Sequence, residues 1–239
     1  MTTLTSSSAF GSPIVNEAPT FFTKPLDRAE GPGVCDNRKC SWAGFRTAAE
    51  SSQSCGNFAH AETMWLKAAS ETYQFEAHDW RRAYSLDCLT VLLYSQNRLD
   101  EAEVFAERAL EATRLAYGPE HLKTAESEQL MGAIAFGLGK LEDACRHLHR
   151  TLTIYEDTLE PIHKRIGTTC LNLAFIYHAK GLFDLSERFY QRAFKIRGQI
   201  YGWAHDMTSS VSKAYTEMAI DRKCHIEAKQ MVDLLMDTV

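Results

Sequence analysis

The sequence predicts an all-α protein, a solenoid of about five antiparallel helical hairpins. The first observation is an internal repeat, because five segments align without gaps from residues 56, 97, 139, 181 and 223, at spacings of 41, 42, 42 and 42. The second is the distribution of proline. Four of the six prolines precede residue 33, and only Pro119 and Pro161 follow, as a helical body requires.

Small side chains recur in two columns of the repeat. One column holds Ala61, Ala102, Ala144, Ser186 and Ala228. The other, seven residues later, holds Ala68, Ala109, Thr151, Ala193 and Leu235. Because seven residues make about two helical turns, both columns lie on one face of a helix. Small residues on this face allow a neighbouring helix to approach closely.

A turn and an earlier helix complete each hairpin. The turn before the small-residue helix carries residue types that accept a positive φ, namely Gly56, Asn97, Gly139 and Gly181. Upstream of the turn a second apolar helical pattern appears, for example Leu86, Leu89, Leu92 and Leu93, or Cys170, Leu173, Ile176 and Tyr177. Each unit is therefore predicted to be a helical hairpin.

This pattern resembles the tetratricopeptide repeat. The residues that carry the resemblance most fully are Leu173, Ala174, Tyr177, Ser186, Tyr190 and Ala193. The usual repeat of that family has about 34 residues, so each helix here gains about one turn. The longer unit, and the segment YGPEH at 117–121, are similar to the kinesin light chain class. The resemblance implies a right-handed superhelical solenoid.

The chain divides into two compositional zones. Residues 1–38 are rich in Ser, Thr, Pro and Gly without apolar periodicity, and we expect a disordered N-terminal arm. A tetratricopeptide-like domain follows over 39–239. Its units are expected at about 41–80, 81–121, 122–163, 164–204 and 205–239. The first unit departs most from the pattern, with Ala48 and Ser52 where larger apolar residues are expected.

Charge and cysteine content narrow the classes of partner and compartment. Lys and Arg number 26 against 31 Asp and Glu, so the net charge of −5 disfavours nucleic acid and anionic membranes as partners. Seven cysteines, four of them in helical stretches, indicate reduced thiols. The N-terminal stretch has no basic residue before Lys24 and no long apolar run. We therefore expect a cytoplasmic protein without a membrane span.

Three histidines stand in register. His121, His163 and His205 recur at a spacing of 42, but equivalent atoms of stacked repeats lie roughly 8 to 10 Å apart, too far for one metal ion. We predict that they bond backbone groups at a helix end. His147 and His149 are two residues apart on a helix, so their rings diverge and cannot chelate together. We predict that both lie on the surface.

Signals for catalysis are weak. Cys35, Cys40, Cys55 and His60 could supply four zinc ligands, but their gaps match no common zinc finger. No glycine-rich phosphate loop, GxSxG elbow or HExxH motif occurs. Carboxylates follow the expected solvated side of a helix at Glu101, Glu103, Glu107 and Glu111. We predict a protein that is not an enzyme and has no metal or cofactor.

The resemblance places the first helix of each unit on an inner, concave surface. The inward positions are Tyr84, Asp87, Val91, Tyr94, Gln129, Ala133, Phe136, Leu171, Asn172, Phe175, His178, Lys213 and Glu217. Their spacing of three or four makes one stripe per helix, apolar and aromatic in the middle. We predict a groove that binds a peptide or a helix. The alternative is internal packing, or cover by the N-terminal arm.

Related repeats use an asparagine at the position of Asn172 to bond the backbone of a bound peptide. Members that capture a C-terminal carboxylate also need Lys, Arg and Asn at set positions. Those positions hold Gln129, Ala133, Ser210 and Ala214 here, so that carboxylate clamp is incomplete.

The function predicted from these patterns is a scaffold or adaptor that binds a protein segment in its groove. The main rival is a regulatory sensor of a small ligand or signalling peptide, and the weakest is a metalloenzyme at the N-terminal cysteines. Self-association through the last helix is a further expectation, because it carries Met231, Val232, Leu234, Leu235 and Met236. The recognisable positions pack repeats together, so they identify no partner.

Overall fold

The computed structural model describes residues 41–236, with side chains described up to Ile226 except Cys224. The arm predicted for 1–38 lies outside the described residues. All regular secondary structure in the described part of the chain is helical. The helices are α1 Ser41–Ser54, α2 Phe58–Glu71, α3 Trp80–Ser95, α4 Leu99–Tyr117, α5 Leu122–Gly137, α6 Leu141–Thr158, α7 Lys164–Ala179, α8 Phe183–Tyr201 and α9 Asp206–Met236.

The helices follow one another in the order that the repeat predicts, and α1 contacts α2, α3 contacts α4, and α7 contacts α8. The all-α helical-repeat fold is therefore confirmed. The chain forms two compact units that divide within α6, and each is described by itself. Among residues 41–147, α1 to α5 and the start of α6 form the N-terminal unit. The C-terminal unit contains the rest of α6 and the helices α7 to α9. Over the described residues, no helix is long and apolar enough to cross a bilayer.

The turns inside the four hairpins have the predicted backbone conformation. Positive φ angles occur at Gly56 (76°), Asn97 (59°), Gly139 (75°) and Gly181 (71°). A side chain with a Cβ is strained in this region, and Asn tolerates it better than most residues. The residue types at these four positions therefore set where the second helix begins.

The small-residue columns are buried, as the prediction of a packing face requires. Ala61, Ala102, Ala144 and Ser186 of the first column are fully buried. Ala68, Ala109, Thr151 and Ala193 of the second column are fully buried too. The hydroxyl of Ser186 donates to the carbonyl of Ala174 across the α7–α8 contact, at 2.8 Å. Ala228 and Leu235 lie outside the described side chains.

The three registered histidines cap the helices that follow them, which confirms their predicted structural role. The Nδ1 atoms of His121, His163 and His205 each accept a hydrogen bond of 3.1 Å from the backbone N–H two residues later. These N–H groups have no partner inside the helix, so the ring replaces water at an exposed donor. The rings of His121 and His205 also stack on Tyr117 and Tyr201.

The fifth hairpin predicted for 205–239 is wrong. In its place, α9 runs unbroken for 31 residues. The reason lies at the expected turn, where Lys223 occupies the position that Gly or Asn holds in the other units. Lys has no preference for a positive φ and is a good helix former, so the helix continues through this position.

The surface location predicted for His147 is also wrong, whereas His149 is exposed. His147 is 7% exposed, and its Nδ1 lies 2.6 Å from the carboxylate of Glu128 in α5. Arg114 of α4 donates to the same carboxylate at 2.6 Å. Burial acts to raise the pKa of Glu128, but the bonds from His147 and Arg114 outweigh it, and the net pKa is lowered. One buried carboxylate thus joins α4, α5 and α6 inside the N-terminal unit.

We expect Glu128→Gln to lower the free energy of unfolding by about 2 to 3 kcal/mol at neutral pH, because His147 and Arg114 lose a charged partner. A lowered pKa stabilises the fold above the ordinary value of 4.5. The difference between variant and wild type should therefore shrink as pH falls below about 4.5 and through the folded pKa. Urea unfolding at several pH values measures it. The exposed Glu107→Gln is the control, and equal small losses from both variants would contradict the account.

The turn at Asn97 gives a second prediction. Asn97→Ala should cost about 1 kcal/mol, because alanine cannot use a local hydrogen bond to offset the positive φ. Asn97→Gly should leave the free energy of unfolding nearly unchanged, since glycine adopts this conformation without a steric penalty. Thermal or urea unfolding of the two variants decides, and equal losses would show that backbone conformation is not the cause.

Candidate binding faces on the first helices

Neighbouring first helices lie side by side within each unit, and their facing residues form the candidate binding faces. In the N-terminal unit a hydrogen bond links Tyr84 of α3 to Glu50 of α1. In the C-terminal unit His178 of α7 is hydrogen-bonded to Asp221 of α9 at 2.9 Å. We call the predicted inward residues of each first helix its inner stripe. The stripe includes the positions that are equivalent to Asp87 and Val91 in every repeat.

Tyr84 is fixed within an aromatic cluster. Its hydroxyl donates to the carboxylate of Glu50 at 2.9 Å. Its ring packs edge-on against Trp42, Trp65 and Trp80, with centroids 5.8 to 6.3 Å apart. Burial raises the pKa of the Tyr84 hydroxyl, and Glu50 adds to the rise. Tyr84 therefore connects the first two hairpins and offers a ligand only part of its ring.

Asp87 joins α3 to α5 on the floor of the same face. Its carboxylate accepts from the Ser127 hydroxyl at 3.1 and 3.3 Å. Although the side chain is only half-buried by surface area, dense surroundings raise the pKa of Asp87 to about 7. The Ser127 bond opposes the rise, Glu126 adds to it, and Lys123 opposes it. Asp87 is thus a carboxylate of the inner stripe with a raised pKa and one hydroxyl donor, Ser127.

The rest of the N-terminal inner stripe is partly covered. Val91 and Ala133 are buried. Tyr94, Gln129 and Phe136 are half-buried, so they are the parts of the predicted stripe that a ligand can still contact. The accessible part of the predicted stripe in this unit is therefore mainly aromatic, with one amide at Gln129.

The C-terminal inner stripe combines one half-buried aromatic ring with exposed charges. Phe175 of α7 is half-buried and meets the ring of Tyr190 edge-on, with centroids 5.7 Å apart. Lys213 and Glu217 of α9 are exposed. Within the described residues neither of these two charges forms an ion pair. The accessible part of this stripe thus presents an aromatic ring on α7 and two charges of opposite sign on α9.

The predicted open apolar stripe needs correction at five positions, where the side chain is buried. They are Val91, Ala133, Leu171, Asn172 and His178. Contacts between neighbouring helices account for the change, because the ring of His178 packs near Phe183 and bonds Asp221. Periodicity in one sequence identifies the inward face but does not give the distance to the next helix.

Sequence reasoning missed three residues on these faces. Arg46 and Glu50 lie on α1, and the repeat frame could have found them, because they stand 41 residues before Asp87 and Val91. Tyr190 of α8 was assigned to packing alone. Its hydroxyl is buried and has no hydrogen-bond partner within the described residues. No sequence signal distinguishes this hydroxyl from a bonded one.

The candidate metal ligands are not brought together in the described part of the chain. Cys55 is a free, exposed thiol, and the ring of His60 is bonded to Ser52. Cys35 and Cys40 lie outside the described residues. Over the residues that were described, no group of three His, Cys, Asp or Glu side chains is placed to hold a metal ion. Of the carboxylates that were expected on the solvated side of a helix, Glu103 is half-buried beside Lys140. Glu101, Glu107 and Glu111 are exposed.

Comparison with known proteins agrees with the fold of repeated helical hairpins. The tetratricopeptide repeat family model matches residues 81–157 and again 128–199. The two matches overlap and together run from α3 to the end of α8, so they cover the repeats whose turns and small-residue columns are most regular. No curated protein sequence matches the chain at a significant level.

Several solved structures share the fold of this chain. Two structures of a candidate kinesin light chain of Podosopora anserina with nearly identical TPR-like repeats have TM-scores of 0.67 and 0.66 and identities of 14% and 15%. They cover 83% and 81% of this chain, and 94% and 92% of the other chain. BtubC (BKLC) from P. vanneervenii has a TM-score of 0.63 and 19% identity, over 82% of this chain and 81% of its own.

The apo form of RapI matches at a TM-score of 0.61 and 13% identity, over 89% of this chain and 78% of its own. At such identities the likeness establishes the fold alone. Together with the family model and the 42-residue spacing, it gives one conclusion. Over residues 81–199 the chain consists of tetratricopeptide repeats, and its fold is similar to that of the candidate kinesin light chain of Podosopora anserina.

Proposed function

We propose that the chain is a scaffold or adaptor that holds a segment of a partner protein on the inner stripes of its first helices. Protein-interaction scaffolding is the general role that tetratricopeptide repeats support. The observation that carries the finer proposal is the C-terminal inner stripe, which has the half-buried ring of Phe175 on α7 and, on α9, the exposed Lys213 and Glu217, which form no ion pair with any described residue.

The chemistry of this face favours a peptide with both apolar and charged groups. Covering the rest of the Phe175 ring removes apolar surface from water, and aromatic anchors of this kind supply much of the energy of interfaces. Lys213 and Glu217 contribute little affinity while solvated, but they select partners by the sign of their charges. In the N-terminal unit, Tyr94 and Phe136 offer further aromatic surface.

We also propose that binding proceeds without covalent chemistry and in a reducing compartment such as the cytoplasm. The cysteines described by the structure, Cys55, Cys88, Cys145 and Cys170, are free thiols. Burial raises the pKa of Cys88 and Cys170, so these two thiols are held in the protonated, unreactive form. Such residues serve packing rather than reaction.

Self-association through the C-terminal part of α9 stays a prediction, because its side chains lie outside those described. Light scattering at high micromolar concentration measures it. We expect a species larger than a monomer that becomes a monomer when residues 224–239 are removed. A monomer at every concentration, unchanged by the truncation, would contradict this expectation.

The peptide-binding proposal is tested by two matched variants in one unit. A displayed library of random peptides of roughly a dozen residues is selected on the wild-type chain, and the affinity of enriched peptides is measured by fluorescence anisotropy. We expect Phe175→Ala to weaken binding by about tenfold or more, as the loss of an aromatic anchor does. Phe194→Ala is the control, because this half-buried ring packs on Trp203 away from the inner stripe.

Circular dichroism shows whether both variants remain folded. Equal affinities for Phe175→Ala, Phe194→Ala and wild type would contradict the proposal. Enrichment of no peptide, together with tight binding of a small molecule that Phe175→Ala abolishes, would favour the rival function of a regulatory sensor.

A further inference from the structure

Asp87 is the first member of a hydrogen-bond network that crosses three helices of the N-terminal unit. The hydroxyl oxygen of Ser127 on α5 lies 3.1 and 3.3 Å from the two carboxyl oxygens of Asp87 on α3. The same oxygen lies 3.2 Å from the hydroxyl oxygen of Thr113 on α4. The Thr113 hydroxyl in turn donates to the carbonyl of Ala109 at 2.7 Å. Ser127 and Thr113 are 2% and 1% exposed, so these contacts are sealed from bulk solvent. We call these four groups the Asp87 network.

The number of protons in the Asp87 network depends on the charge of Asp87. A carbonyl oxygen only accepts, so the single proton of the Thr113 hydroxyl lies toward Ala109. The oxygen of Thr113 then accepts from Ser127, which uses the single proton of the Ser127 hydroxyl. No proton is left for the contact between Ser127 and Asp87 unless the carboxyl group itself carries one. A protonated Asp87 therefore makes all three contacts hydrogen bonds.

An ionised Asp87 leaves one of these contacts without a proton. Ser127 then donates to the carboxylate, and its oxygen faces the lone pairs of the Thr113 oxygen, because the proton of Thr113 lies toward Ala109. The distances also differ from those of an ionised acceptor. A hydroxyl that donates to a carboxylate usually lies about 2.5 to 2.7 Å from it, which is shorter than the 3.1 and 3.3 Å between Ser127 and Asp87. Both observations favour the neutral acid.

The groups that face Asp87 from the neighbouring helices also favour the uncharged form. On α5 the carboxylate of Glu126 disfavours a second negative charge, and Lys123, which attracts one, is bonded to Glu126 at 2.8 Å. Burial raises the pKa of the Tyr117 hydroxyl on α4 and of the Cys88 thiol on α3, so both groups are neutral at physiological pH. These neighbours therefore give a charged Asp87 little compensation.

Two further carboxylates of this region, Asp79 and Glu50, have cations of their own. Arg81 donates to Asp79 at 2.6 Å, and Arg46 lies 3.6 Å from Glu50. Among the described residues no cation is bonded to Asp87 in this way. Burial is the main cause that raises the pKa of Asp87 to about 7. The surroundings thus agree with the count of protons.

We propose that Asp87 is a neutral carboxylic acid in the folded chain in mildly acidic solution, where it donates to Ser127 and completes the Asp87 network. Its ionisation is a pH-sensitive switch at the junction of α3, α4 and α5, because the charged form removes one proton from the network. The same ionisation adds a negative charge to the N-terminal inner stripe, to which Asp87 belongs. The inference does not depend on the proposed peptide binding.

The direction of the switch follows from proton linkage. Because the pKa of Asp87 is raised in the folded chain, the folded state keeps this proton over a pH range in which the unfolded state has lost it. The stability that the proton gives is complete below the ordinary carboxyl pKa of 3.8. It is lost as pH rises through about 7.

Carbon-13 NMR of the Asp87 carboxyl group, recorded on the full chain between about pH 4 and pH 9, tests the protonation directly. We expect the signal to change with a midpoint near pH 7, in line with the raised pKa. Asp87→Asn assigns the signal, because that variant has no titrating group at this position. A midpoint near or below the ordinary value of 3.8 would overturn the inference.

Two matched threonine variants test whether the network, rather than burial alone, holds the proton. Thr113 and Thr90 are both buried, and each donates to the carbonyl four residues earlier in its helix, at 2.7 and 2.8 Å. Only Thr113 contacts Ser127. Thr113→Val removes the acceptor that Ser127 needs when Asp87 is protonated, so the midpoint of Asp87 should fall by about half to one pH unit, the value of one hydrogen bond.

Thr90→Val should leave the midpoint of Asp87 unchanged, although it loses a similar bond within its helix. Equal midpoints in the wild type and in both threonine variants would overturn the proposed donation from Asp87 to Ser127.

Stability measurements provide a test that does not require Thr113→Val to fold. Urea unfolding is followed by tryptophan fluorescence, because three of the four tryptophans lie in the N-terminal unit. In Asp87→Asn the amide donates to Ser127 at every pH. Between about pH 5 and pH 8 the unfolding constant of the wild type should therefore rise roughly fifty- to a hundredfold relative to that of Asp87→Asn. Asp100→Asn, an exposed control on α4, should keep the wild-type profile. Parallel pH profiles for the wild type and Asp87→Asn would contradict the switch.

Discussion

Close approach between the two helices of each hairpin is the contact on which the rest of the fold depends. The second helices carry small residues that are fully buried, and in the α7–α8 hairpin the hydroxyl of Ser186 donates to the carbonyl of Ala174 across the contact. A larger side chain in these columns would separate the helices and open cavities along the core. The turn that brings the helices together is short, and it depends on a residue that accepts a positive φ. The sequence therefore determines this contact in two ways, through the turn residue that sets the backbone conformation and through the small residues that are buried.

Polar groups hold the neighbouring helices in register once this contact is made. The carboxylate of Glu128 joins three helices of the N-terminal unit, and Asp87 joins α3 to α5 through Ser127. The registered histidines act within single helices, where they cap the first turns of α5, α7 and α9. Each of these groups has its partner inside the fold. The face of the C-terminal unit differs from these groups, because the half-buried ring of Phe175 and the exposed charges of Lys213 and Glu217 are the reason for assigning binding to it.

Much of the fold follows from the sequence because its causes are local. The turn at Asn97, the small columns and the role of His163 all depend on residues within one repeat, and the spacing of 42 makes them visible. The continuous helix α9 could also have been predicted from the sequence, because Lys223 stands where the other units have Gly or Asn. The burial of His147 could not, because it depends on Glu128, which lies in another helix 19 residues away.

The binding face was harder to predict for the same reason. Periodicity identifies the inward residues of one helix, but exposure depends on how near the next helix lies. Asn172 and His178 were expected to face a ligand, and both are buried between helices. The missing partner of the Tyr190 hydroxyl is visible only when neighbouring helices are placed together. The hydrogen bonds of a buried hydroxyl depend on where the neighbouring helices lie, and a single sequence does not give those positions.

The central claim is that a partner peptide lies on the inner stripe of the C-terminal unit. Mapping the backbone amide signals of the chain by NMR, with and without a selected peptide, tests it most directly. The account predicts that the largest shifts cluster on α7 and α9 around Phe175, Lys213 and Glu217. Shifts confined to the exposed outer side of α8, around Lys195 and Gln199, would contradict it.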